Sequence, residues 1–110
     1  MRILTKLEEL LLLAIFQIKE NSCLLNIWEI LVRDTGKDWA LASLYLSLEN
    51  LRKKGFVRAF RGKPSLRRGG KAVTFYQITQ QGLNALSETK KIQDRMWKGF
   101  PEFAASREKR

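Results

Sequence analysis

Hydrophobic residues recur at helical spacing through the first half of the chain, switch to strand alternation, then return to a helical rhythm. Between Thr5 and Lys19, Leu7, Leu11, Ala14 and Ile18 form one stripe, widened by Leu10, Leu13 and Phe16. Apolar positions at this spacing predict an amphipathic helix. Thr5 and Glu8 supply a T-x-x-E capping box to start it. A helix apolar over so much of its girth is expected to bury more than one side, against the domain core and against a partner subunit.

Glu20, Asn21 and Ser22 interrupt the pattern. A second helix is expected over about 24 to 33, with Leu24, Ile27, Trp28 and Leu31 on one face and Gly36 permitting the turn after it. A third starts near Ala40 or Leu41 and ends before Gly55. Leu41, Leu44, Tyr45, Leu48 and Leu51 should face inward; Ala42, Ser43, Leu46, Ser47, Asn50 and Lys53 lie on the other side. Leu46 is the apolar exception there. Packing on a neighbour is its simpler reading, contact with a thymine methyl the other.

Residues 56 to 61 alternate and residues 73 to 78 are rich in β-branched and aromatic side chains, which predicts two paired strands. Between them, 62 to 72 hold three glycines, one proline and the cations Lys63, Arg67, Arg68 and Lys71. Thr79 caps a fourth helix expected from Gln80 to about Trp97, with Pro101 as its latest limit. Its stripe of Leu83, Leu86, Ile92 and Met96 finds nothing left to cover in a small winged core, so a second subunit is its expected partner. The fold class is therefore α+β, mainly α: a winged helix-turn-helix of three helices and a two-stranded β wing. It spans 1–79, with a dimerisation helix at 80–104 and a polar tail at 105–110.

Composition narrows the function. A chain of 110 residues suits one domain. The balance of 21 basic against 11 acidic residues gives +10, a self-repulsion that nucleic acid offsets. One cysteine, Cys23, and no histidine preclude an intramolecular disulfide and the usual zinc sites. Cys23, beside Leu24 and Leu25, reads as a buried, inert thiol. The apolar run at 10 to 16 is too short to span a bilayer and lacks signal-peptide features, so a cytoplasmic protein without a membrane partner is expected. No catalytic constellation can be assembled: there is no histidine and no glycine-rich phosphate loop, and Glu8–Glu9 is the one acidic pair considered. No enzyme activity and no cofactor are expected.

A helix with a small, polar outer face followed by a cationic hairpin suits double-stranded DNA. Ser43, Ser47 and Asn50 are the candidates for base or near-base contacts, through short hydrogen-bonding side chains. Lys53, Lys54, Lys63, Arg67, Arg68 and Lys71 would neutralise phosphates, with the Tyr45 hydroxyl reaching another.

The stretch from Leu41 to Val57, with Ala42, Ser43, Leu44, Tyr45, Leu48, Leu51 and Gly55 in place, resembles the reading helix of PadR-type transcriptional regulators. Arg68 to Lys71, followed by Phe75 to Gly82, resembles that family's wing signature, and Glu9 with Leu11 to Leu13 resembles its opening segment. The resemblance runs over about residues 4 to 86. It implies a winged helix, a homodimer, repression at palindromic operators and no catalysis. Two departures stand out: Trp39-Ala40 replaces the usual cap of the reading helix, and Glu49-Asn50-Leu51 alters the Leu-Glu order. An effector pocket, if the regulator answers to a small aromatic molecule, is expected at the dimer interface, from Phe16, Leu86, Ile92, Met96, Trp97 and Trp39; simple packing of the dimer is the plainer role for them. Two other readings stand beside this one: a winged-helix module that binds protein, and an RNA binder using Phe60 and Phe75 for stacking.

Overall fold

The computed structural model describes residues 3–62 and 73–101. The elements run α1 (Lys6–Ile18), α2 (Leu24–Thr35), α3 (Leu41–Lys53), β1 (Val57–Arg61), β2 (Thr74–Ile78) and α4 (Gln80–Trp97), with a 3-10 turn at Lys19–Asn21 after α1. This is the winged helix-turn-helix with a following helix.

Each helix starts where local chemistry directs it. Thr5 accepts from the Glu8 backbone N–H while the Glu8 carboxylate accepts from the Thr5 N–H, closing the capping box. Thr79 accepts from the Gly82 N–H and donates to the Gly55 carbonyl, so one hydroxyl starts α4 and ties it to the end of α3. Gly36, at φ 70°, closes α2 in the left-handed region. Ala40 offers α3 no side-chain cap.

α1 is the centre of the core. Leu11, Leu12, Ala14 and Ile15 are buried, and they meet Ile27 and Leu31 of α2, Leu44, Leu48 and Leu51 of α3, Val57 and Tyr76 of the strands, and Ala85 of α4. The stripe read from the sequence is rotated by this: Leu12 and Ile15 are fully covered, whereas Leu7 and Ile18 are half-buried. The cause is that α1 is flanked by α2, α3 and β2 as well as by α4, which widens its buried arc.

The strands pair antiparallel, Val57 opposite Ile78 and Arg61 opposite Thr74. Phe60 and Phe75 face each other across the ladder with ring centroids 5.9 Å apart, so these rings pack on one another. A third segment joins on the far side of β2. Cys23 bridges Phe75, the Tyr76 N–H donates to the Ser22 carbonyl, and the buried Ser22 hydroxyl donates to the Tyr76 carbonyl. The apparent break at 20 to 22 thus ends in a β contact that also buries Cys23.

α4 does have a place on the winged core, contrary to the expectation that nothing remained for it. Gly82, Ala85 and Thr89 are buried, and Thr89 Oγ1 accepts from the Leu4 N–H at 3.1 Å. Gln93 donates to the Glu9 carboxylate at 3.2 Å. The reason is compositional: a small side chain, a glycine and a short hydroxyl let α4 approach closely, a signal that an apolar stripe does not carry. Among the described residues, no helix is long and apolar enough to cross a membrane.

Candidate nucleic-acid interface

α3 is held to the core by Leu44, Leu48 and Leu51, all fully buried. A helix turns about 100° per residue, so Leu46 lies nearly opposite both Leu44 and Leu48. Around it, Ala42, Ser43, Asn50 and Lys53 are exposed. This outer face thus carries small, polar and basic side chains around one exposed leucine.

The sequence-derived candidates divide on this geometry. Ser43, Asn50 and Lys53 lie on the outer face, whereas Ser47 is half-buried toward the core side. Tyr45 does not join the core: it is 47% exposed, and Leu41 is exposed beside it. Leu44, Leu48 and Leu51 already fill the space beneath α3. Leu41 and Tyr45 are rotated off that line and face a hollow of about 460 Å³ between the start of α2 and β2. Leu46 is 63% exposed, so packing among the described residues leaves most of it open. Lys54 is engaged: its ammonium sits on the Glu8 carboxylate of α1. Lys63, Arg67, Arg68 and Lys71 lie outside the described residues.

Two exposed cations of β1, Arg58 and Arg61, extend the basic set, and the sequence motifs do not single them out. Their exposure marks them rather than any pattern: Val57 is the one buried residue of β1, and Arg58 and Arg61 stand on opposite faces of the strand. Arg58 donates to the Gln77 side chain across the ladder at 2.9 Å. Arg52, by contrast, is paired with Glu49 at 3.0 Å.

The orientation of α3 is set by two tryptophans in and before the turn. The Trp28 indole N–H donates to the Trp39 carbonyl at 2.8 Å, and the Trp39 indole N–H donates to the Thr35 hydroxyl at 2.9 Å. The Lys37 ammonium lies 4.3 Å from the Trp39 ring centroid. Trp39, where a capping residue is usual, braces the helix-turn-helix corner from outside the helix. Tyr76 supports α3 from the sheet. Burial pushes its hydroxyl up to about 12, with Glu49 and Tyr45 adding to the shift and Arg52 opposing it, so it stays neutral.

Within one subunit Phe16 sits apart from Leu86 and Trp97. Leu86 and Trp97 line a hollow of about 610 Å³ between α1 and α4, with Leu13 on its other wall. Phe16 lines a different hollow, with Ile15, Gln77 and Ile78. Ile92 is half-buried, Met96 is exposed, and Trp97 packs edge-on to Phe100 at 5.0 Å. Any gathering of these groups with one another depends on a second copy; Trp39 is committed to its turn.

Solved structures share this architecture. A PadR family transcription regulator from Clostridium difficile is 19% identical, with a TM-score of 0.65 covering 86% of this chain and 92% of that one. Another from Eggerthella lenta is 22% identical, TM-score 0.66, over 83% of this chain and 77% of that one. A candidate transcriptional regulator from Thermoplasma acidophilum is 20% identical, TM-score 0.67, over 88% and 90%. No protein-family model matches the chain, and no curated protein matches it significantly. The chain thus has the fold of PadR-type regulators.

Proposed function

We propose that this protein is a sequence-specific DNA-binding transcriptional regulator, a homodimeric repressor acting at a palindromic operator. One observation carries the reading: among the described residues nothing covers Ala42, Ser43, Leu46, Asn50 and Lys53 on the outer face of α3, a helix braced from behind by three buried leucines. A charge of +10 and the fold shared with transcription regulators support it. Ser43 and Asn50 would contact base edges, and Tyr45 and Lys53 would meet phosphates together with the wing cations. Repression and palindromy rest on the family resemblance.

The dimer would form through α4 and the outer side of α1. Leu13, Met96, Trp97 and Phe100 are all exposed there, with Trp97 at 63%. Exposed aromatics gathered at one end of a helix suit a subunit interface. A small aromatic effector would enter at that interface by stacking on Trp97.

Selection of bound duplexes from a randomised pool, with the purified protein at near-physiological salt, tests the reading. Enrichment of a palindrome is the expected result. Retention of no duplex would transfer the proposal to a protein-binding winged helix whose basic face meets an acidic partner.

A further inference from the structure

We infer that Leu46 reads a thymine, by placing its isobutyl group against the 5-methyl of one thymine in each half-site. The inference rests on the DNA-binding reading above and deepens it. Leu46 lies two residues from both Leu44 and Leu48, so it occupies the pole of α3 that points directly away from the core. It is 63% exposed. The residues one turn away are Ala42, Ser43, Glu49 and Asn50; Ala42, Ser43 and Asn50 reach no further than leucine, and Glu49 is half-buried and paired with Arg52. A helix entering a groove pole-first therefore brings the Leu46 methyls to the base edges early and centrally.

The chemistry at that point is restrictive. Of the groups the four bases present in the major groove, the thymine 5-methyl is the one apolar group that projects into it; guanine and adenine present hydrogen-bonding atoms, and cytosine a donor amine beside its flat C5–H. An isobutyl group pressed on an exocyclic amine or a carbonyl oxygen strips it of water and returns no hydrogen bond, which is unfavourable. Against a methyl, both surfaces leave water together. Leu46 thus discriminates in two ways, by attraction to thymine and by a desolvation penalty against guanine, adenine and cytosine.

The test uses the operator recovered by selection. Each thymine is replaced in turn by deoxyuridine, which removes the methyl and leaves the hydrogen-bonding edge unchanged. For the wild-type protein, replacement at one position in each half-site should weaken binding about four-fold, the factor that corresponds to burial of one methyl group. Leu46→Ala should bind the thymine and uracil duplexes equally. A duplex with 5-methylcytosine at the same position should regain part of the loss for the wild type alone. Leu46 is exposed, so its truncation should leave the thermal midpoint unchanged. Leu46→Ser is the second variant and should show the same indifference to the methyl.

The inference is overturned if the wild type is indifferent to uracil at every position, if Leu46→Ala keeps the wild-type sensitivity, or if the operator has no thymine in its half-sites. These results leave DNA binding itself standing. Failure to retain any duplex overturns the underlying reading instead, and the inference with it.

Discussion

The ammonium of Lys54, one residue beyond α3, rests on the carboxylate of Glu8 in the first turn of α1, 46 positions earlier in the chain. That carboxylate also accepts from the Thr5 N–H, so one side chain both starts α1 and holds the end of α3. The sequence pattern assigns Lys54 to phosphate; in the free protein it has an internal partner. Burial tends to raise the Glu8 carboxyl, but hydrogen bonds from Lys54 and Thr5 and the Lys54 charge outweigh this and hold it below the usual carboxylate range.

Glu8→Gln should keep the cap and lose the ion pair. Because the folded pKa is depressed, the stabilisation is present above the unfolded value and lost as pH falls through the folded one. Urea unfolding should show a deficit of about 0.5–1 kcal/mol at neutral pH for this partly exposed pair, and none in acid. Released from Glu8, Lys54 should also increase duplex affinity at low salt.

Trp28→Phe should act on DNA binding from behind. It removes the indole N–H that holds the Trp39 carbonyl, at a cost of about 1 kcal/mol in thermal or urea unfolding. Duplex affinity should fall while the preferred sequence stays the same, as measured by repeating the selection with the variant. A changed consensus would contradict a purely bracing role.

Gly82 carries α4 against Phe56, just before β1, and against Ile78 at the end of β2. A Cβ there would lie 2.3 Å from the Phe56 carbonyl oxygen and 2.8 Å from Ile78 Cγ1. Gly82→Ala should destabilise by at least about 2 kcal/mol, since backbone must move. Thr79→Ala, which loses the cap and the bond to Gly55, should cost about 1–2 kcal/mol. The order of the two midpoints in thermal unfolding checks both values.

Leu13→Glu combined with Trp97→Ala should convert the proposed dimer to monomer in sedimentation equilibrium. Both side chains are exposed in the single subunit, so the helical content should be unchanged by circular dichroism. A dimer that survives both substitutions would place the interface elsewhere.

Arg67→Ala with Arg68→Ala should weaken binding to all duplexes alike. It should also flatten the dependence of log affinity on log salt by about 0.9 for each phosphate no longer neutralised. Asn50→Ala, on the outer face of α3, should instead change which duplexes are preferred. Equal behaviour of the two variants would remove the division of labour between wing and helix.

Much of this protein is determined locally. The Thr5–Glu8 box, Gly36 and Thr79 act within a single turn of backbone, and they mark helix boundaries in the sequence as they do in the fold. The β-branched and aromatic residues at 56 to 61 and 73 to 78 place the strands for a similar reason: strand preference is a property of the side chain and its own backbone. What the tertiary structure decided is which surfaces are covered. Leu41 and Tyr45 satisfy the helical period of a core stripe yet stay exposed, because three neighbouring leucines exhaust the space under α3. Thr89 carries no apolar signal yet is fully buried, because the Leu4 N–H satisfies its hydroxyl from the other end of the chain. Lys54 reads as a phosphate ligand until α1 brings Glu8 to it. Burial and pairing between distant elements depend on how whole elements stack, and the periodicity of one element contains no record of its neighbours.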